Sequence, residues 1–256
     1  MTTIGTRCLY VQLLKKAVMD RLIGPPVDLQ RGEVGELEVV EGTYWPQRGL
    51  TMLGTKRMDN LQYCVETVLH NKIPGDFLEA GVWRGGACIF MAGLLKAYEV
   101  RDRNVFVADS FQGLPAPDPQ RYPMDRNDPH HTMSFLAVSE AEVKQNFQRF
   151  GLWGPQVHII KGWFEQTLHH HPDIQQLAVL RLDCDMYGST MQVLEALYDK
   201  LAPGGFLIHD DYMCLPRARK AVDDFRTKRK ITATIIPIDH CGMYWRKPKT
   251  NLNKEF

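Results

Sequence analysis

Four aspartates stand in two short clusters, Leu-Arg-Leu-Asp183-Cys-Asp185-Met-Tyr187 and Phe-Leu-Ile-His-Asp210-Asp211-Tyr212. Each cluster closes an apolar run of strand length. Side chains alternate along an extended strand, so Asp183 and Asp185 are expected on one side. Neighbouring parallel strands lie about 4.7–4.9 Å apart, which would crowd all four carboxylates into one small volume. Like charges at that distance are costly, and some must stay protonated unless a cation sits among them. All-oxygen ligation points to Mg²⁺, with Mn²⁺ or Ca²⁺ as alternatives. Three carboxylates suffice to hold such an ion, which leaves one free as a base. A lone aspartate at a strand end usually caps a loop or helix; four at two strand ends exceed what capping needs.

A second constellation lies earlier. Glu79-Ala-Gly81-Val-Trp-Arg-Gly85-Gly86 joins a short strand to a helix, and the next strand ends at Asp109. Ligands of doubly wound sheets bind outside the carboxyl ends of the strands, and glycine lets the backbone approach them closely. The spacing is not that of a pyrophosphate turn. An acidic residue at Asp109 can accept both ribose hydroxyls of a nucleoside. The pair therefore suits a nucleoside without a pyrophosphate, and S-adenosylmethionine fits. The plainer alternative is that the glycines only permit a tight turn, with Trp83 and Arg84 serving packing and a surface ion pair.

These residues need elements to hold them. Apolar spacing predicts helices over 56–71, 87–98, 139–150, 189–201 and 217–229, with Ser139 opening the third as a capping box. Ser189 can cap the fourth, and Pro203-Gly204-Gly205 should end it. Strands are predicted over 76–82, 104–109, 156–160, 177–183 and 206–210, then 231–238 and 242–246. Alternating strands and helices imply crossovers and a mostly parallel sheet. Only Asp239-His240-Cys241 separates the last two strands, so they should pair antiparallel. The expected architecture is α/β: a Rossmann-like, seven-stranded, mostly parallel sheet with a C-terminal antiparallel hairpin.

Residues 1–50 differ in character. Leu9–Ile23 has a loose helical pattern stopped by Gly24-Pro25-Pro26. Residues 31–50 are rich in Gly and Glu and carry Tyr44-Trp45. They read as an N-terminal extension or lid rather than core. The expected division is 1–50 extension, 51–248 catalytic domain and 249–256 tail. Residues 30–50 and 116–137 are expected to move and to order over an acceptor.

Composition excludes several classes. With 31 Lys+Arg against 30 Asp+Glu, the net charge of +1 gives no footprint for nucleic acid. No apolar window is long enough to span a membrane, and residues 1–20 show no cleavable signal. Six scattered cysteines form no CxxC pair; they suit a reducing cytoplasm better than a disulfide framework or zinc site. The histidines at 130–131 and 169–171 read as surface residues. His209 should alternate away from Asp210, and the basic stretch from Arg217 to Lys230 reads as a solvated helix face.

Taken together, Thr51-Met-Leu-Gly54, Glu79–Gly86, Val107-Ala-Asp-Ser-Phe-Gln-Gly-Leu-Pro115, Gly162-Trp-Phe164, Arg181–Tyr187 and His209–Tyr212 resemble the macrocin O-methyltransferase family, over roughly residues 40–246. The resemblance implies a class I methyltransferase fold and an S-adenosylmethionine- and Mg²⁺-dependent O-methyltransferase of sugar hydroxyls on secondary metabolites. It implies Asp183, Asp210 and Asp211 as metal ligands and Asp185 as general base. It implies a methyl-donor site of Thr51, Met52, Glu79, Ala80, Gly81, Asp109, Ser110, Gly162, Trp163 and Asp183. Cys184 stands where the family would have glycine, which removes no ligand. The implied partner is a small glycosylated or polyol acceptor, with neither nucleic acid nor membrane, and the extension suggests a homodimer. A catechol-type methyltransferase, a non-catalytic nucleoside- or metal-binding module and a nucleotide-dependent oxidoreductase fit the residues less well.

Overall fold

A computed structural model describes residues 3–249. Seven strands form one sheet: β1 (Asp76–Ala80), β2 (Val105–Asp109), β3 (Val157–Lys161), β4 (Leu177–Leu182), β5 (Leu201–His209), β6 (Ile236–Pro237) and β7 (Met243–Arg246). Their order is β3-β2-β1-β4-β5-β7-β6. The first five are parallel, whereas β7 runs antiparallel to both β5 and β6. The expected architecture, terminal hairpin included, is the one observed.

The helices are α1 (Thr3–Val18), α2 (Glu36–Glu41), α3 (Thr55–His70), α4 (Gly86–Ala97), α5 (Glu140–Arg149), α6 (Phe164–Thr167), α7 (Tyr187–Leu197) and α8 (Pro216–Lys228). Strand alternation sends Phe77, Val105, Val107 and Val179 into one core with α3 and α4. Leu78, Phe106, Leu180 and Leu182 enter the other, with α7 and α8. Covered on both faces, β4 is buried at every position, as a central parallel strand must be. Sheet order reverses between β1 and β4, so the crevice for a ligand opens there. Glu79 pairs with Arg181 and Leu182 with His209 in register. That register delivers the glycine turn and both aspartate clusters to one edge.

Several local expectations change. The first helix covers Thr3–Val18, earlier than the apolar spacing suggested. It packs on α4, and Val11, Leu14, Val18, Met19, Val39 and Tyr44 belong to the main core. The extension is thus partly core material, because the exposed face of the apolar α4 needs a cover. Pro203-Gly204-Gly205 does not merely end a helix but lies inside β5, whose first residue pairs with Leu177. A register shift between Leu177 and Val179 absorbs the irregularity. Only Ile236 and Pro237 of the predicted strand 231–238 pair. The expected tail lies, except for Lys249, outside the described residues. No helix among those described is long and apolar enough to cross a membrane.

Candidate active site

A cavity of about 670 Å³ opens at the carboxyl edge of the sheet. Its floor is built from strand ends. Gly81 follows β1 with φ +83°, and a Cβ there would run into the Asp183 carbonyl. The glycine is therefore needed for contact between the β1 turn and the end of β4. Asp109 closes β2 and ties that turn down: Oδ2 accepts from the Val82 amide at 2.8 Å and Oδ1 from the Phe111 amide at 2.7 Å. Burial raises the Asp109 carboxyl above its usual value, although these amides oppose the shift. Thr51, Met52, Glu79, Gly81, Asp109, Ser110, Gly162, Trp163 and Asp183 all line the cavity. Ala80 does not; its side chain is in the core, and its carbonyl accepts the Asp183 amide at 2.8 Å.

Beside this end lies the carboxylate cluster. The Asp183 amide bonds the end of β1, and the Asp210 amide bonds the Leu182 carbonyl at 2.9 Å. Asp185 does not reach the cluster by simple alternation, because the strand stops at Leu182. Its backbone is left-handed, φ +55°, and its amide donates to Asp211 Oδ2 at 3.1 Å. Carboxylate oxygens of Asp183, Asp185 and Asp211 lie within 4.8 Å of one another. Asp210 is turned toward two guanidiniums, Arg57 and Arg181, the latter at 2.5 Å. Arg181 also pairs with buried Glu79 and reaches Asp183 at 3.0 Å.

Electrostatics divide these four. Burial works against the charge of Asp210, but Arg57 and Arg181 outweigh it and hold the carboxyl below its usual value. Burial and then the Asp183 and Asp210 charges push Asp185 up to about 7. Burial also pushes Asp183 and Asp211 up, reinforced by their acidic neighbours. Three mutually repelling oxygen donors at this spacing are the donor set a hard divalent cation takes. The residues fit such an ion. Asp210, an expected ligand, stands outside this trio with both oxygens engaged by guanidiniums, and would ligate only through their remaining lone pairs.

The roof comes from two segments remote in sequence. Asp28, Tyr44 and Trp45 line one side; Gly113, Leu114, Pro115, His130, Met133 and Leu136 line the other. Asp28 accepts from the Gln30, Arg31 and Trp45 amides, which fixes the first. Buried Asp125 fixes the second by accepting from the Tyr187 and Gly188 amides at 2.7 and 2.8 Å. It thus caps α7 in place of the expected Ser189. The two segments meet where Trp45 stacks on Phe135, ring centroids 4.8 Å apart.

Other expectations resolve plainly. His209 is fully buried, accepts from the Asp211 amide through Nδ1 at 3.1 Å, and burial lowers its pKa to about 4. It is a neutral structural group. His130 is not a surface residue: it is half-buried, lines the cavity and contacts Asp128 at 2.7 Å. Most of the basic stretch is paired outward, Lys220 with Asp224, Lys228 with Glu195 and Arg229 with Asp199, but Arg217 turns in to buried Asp128 and Arg226 lies over Trp245. The expectation of unpaired cysteines is corrected at one place. Cys214 and Cys241 form a disulfide, with Cα atoms 4.6 Å apart. Antiparallel pairing of β5 with β7 carries the chain back beside itself there, and the Met213 amide bonds the Cys241 carbonyl at 2.7 Å. Spacing along the sequence does not show such a meeting.

A parallel sheet of this order, with a glycine turn and an acidic β2 end at its switch point, defines a class I, S-adenosylmethionine-dependent methyltransferase. Residues 10–247 match the family described as macrocin-O-methyltransferase (TylF). The chain belongs to that family and is an O-methyltransferase. It is 46% identical over 247 residues to a mycinamicin III 3''-O-methyltransferase of Micromonospora griseorubida, covering 93% of this chain and 96% of that protein. It is 49% identical over 210 residues to a demethyldecarbamoylnovobiocin O-methyltransferase of Streptomyces niveus, covering 82% and 80%. The solved structure of the O-methyltransferase NovP superposes with a TM-score of 0.91 at 45% identity, over 95% of this chain and all of the other.

Proposed function

We propose that the protein methylates a hydroxyl of a sugar or similar polyol carried on a secondary metabolite, using a divalent cation held by Asp183, Asp210 and Asp211. The relatives named above act on mycinamicin III and demethyldecarbamoylnovobiocin, and a third, from Streptomyces olivaceus, on a rhamnosyl tetracenomycin. What supports the reading is the crowding of four carboxylates at two strand ends beside the glycine turn: Asp183, Asp185 and Asp211 within 4.8 Å of one another, and Asp210 next to Asp211, held charged by Arg57 and Arg181.

Each residue has a role in this reading. Glu79, Gly81, Asp109, Ser110, Gly162 and Trp163, with Thr51 and Met52, receive the methyl donor, and Asp109 accepts its ribose hydroxyls. A divalent cation held by Asp183, Asp210 and Asp211 would supply Lewis acidity that lowers the pKa of an acceptor hydroxyl. Asp185 takes the proton of that hydroxyl. Burial without a guanidinium partner favours the protonated form of Asp185, as a proton acceptor needs. Tyr44, Trp45, Met133 and Leu136 exclude water and orient the acceptor, so positioning contributes much of the rate.

The test is methyl transfer to a panel of deoxysugar glycosides, followed by mass spectrometry with Mg²⁺ or with EDTA. Methylated glycoside is expected with Mg²⁺, lost in EDTA and restored on adding Mg²⁺ back. Transfer to catechol but to no glycoside would overturn the acceptor class. Full activity in EDTA would overturn the metal.

A further inference from the structure

Arg57, in the first turn of α3, is a buried guanidinium with partners from three parts of the chain. Nη1 donates to Asp210. Nε donates to Asp239 Oδ2 at 2.8 Å, in the turn between β6 and β7. Nη2 donates to the Gly42 carbonyl at 3.0 Å and reaches that of Glu41 at 3.5 Å, at the end of α2. The seat on α2 is tight. Gly42 has φ +68°, and a Cβ there would collide with the Gly54 backbone and with Arg57 Nη2. The Asp239 side chain is buried and also accepts from the Cys241 and Gly242 amides at 2.9 and 2.7 Å. A guanidinium presents its donors in a fixed plane, so one orientation serves all these acceptors. Lysine would keep the charge but has no such fork.

The connection runs from roof to floor. Tyr44 and Trp45, which line the cavity, follow Gly42 directly, and Asp210 belongs to the aspartate cluster at the other end of the guanidinium. Releasing either end leaves a buried acceptor or a buried cation short of a partner, which is costly. We propose that Arg57 is a positioning residue that couples the seating of residues 36–45 over the cavity to the orientation of Asp210. The inference rests on reading this cavity as the methyl-transfer site, but its exchange test needs neither metal nor acceptor.

Amide hydrogen exchange on the full-length chain reads the coupling. The Gly42 and Thr43 amides both donate to the Glu38 carbonyl, at 2.7 and 3.1 Å, and report on α2. Arg57→Lys should speed their exchange by about tenfold. Asp210→Asn, which has no hydrogen bond to α2, should speed the same amides by a similar factor. In the double variant Asp210→Asn should add nothing. Amides of α5, which makes no bond to Arg57, should keep wild-type rates throughout. From the other end, Gly42→Ala should weaken Mg²⁺ binding by calorimetry while S-adenosylhomocysteine affinity holds. The proposal is overturned if Asp210→Asn leaves α2 at wild-type rates, if the two effects multiply, or if α5 loosens equally. Should the wild type bind no Mg²⁺, the metal reading fails, while the exchange cycle still decides the coupling.

Discussion

The floor and the roof of the cavity are built by different physics. Floor residues sit at the ends of β1, β2, β4 and β5, and strand register alone brings them together. Roof residues sit on segments around 28–45 and 113–136, held by side chains that reach backbone amides far away in sequence, as Asp125 reaches Gly188. A floor of this kind is set by backbone register and carries the groups the chemistry needs. A roof of this kind changes with a few contacts and suits the choice of acceptor. The reaction should therefore depend on the floor, and the substrate on the roof.

The largest effect expected is on the floor. Asp185→Asn should cut turnover by roughly 10²–10⁴-fold, the usual worth of a general base, while donor affinity measured with S-adenosylhomocysteine holds. A loss confined to KM would place Asp185 in binding instead. On the roof, Trp45→Ala removes the ring that stacks on Phe135. It should raise the acceptor KM by about tenfold, within the worth of one buried aromatic, and leave kcat nearly unchanged. A fall in kcat alone would erase the division between the two regions.

The smallest effect is on stability against pH. Asp185 is raised in the folded state to about 7, so folding favours its protonated form. The stability this contributes is present below the ordinary aspartate pKa and lost as pH rises through about 7. Without metal, the melting temperature should fall by several degrees across that window. Mg²⁺ should remove the fall by neutralising the cluster, and Asp185→Asn should lessen it, leaving the part that the raised Asp183 and Asp211 contribute. Calorimetric scans between about pH 4 and 8, spanning the ordinary and the raised aspartate values, check both; a rise of stability with pH in the metal-free protein contradicts the sign.

The same contrast explains what could be read from the sequence. Asp183, Asp210, Asp211 and Asp109 end apolar runs whose length and alternation are local properties, so their meeting at one edge followed from the order of elements. Asp185 lies three residues beyond β4, and its left-handed backbone was not visible in a pattern of period two. Arg57 carries no local signal within a helical pattern; its burial depends on the approach of Gly42, Asp210 and Asp239 from separate segments. The Cys214–Cys241 meeting and the Asp125 cap on α7 are likewise long-range. Pro203-Gly204-Gly205 misled because a glycine-rich run ends a helix as readily as it starts a bulged strand.

The division of labour among the carboxylates is tested most directly by Mg²⁺ titration calorimetry of Asp183→Asn and Asp185→Asn, each saturated with S-adenosylhomocysteine. The account predicts that Asp183→Asn loses most of its Mg²⁺ affinity, whereas Asp185→Asn binds Mg²⁺ nearly as the wild type does. Loss of Mg²⁺ binding in Asp185→Asn with retention in Asp183→Asn would reverse the two roles and contradict the account.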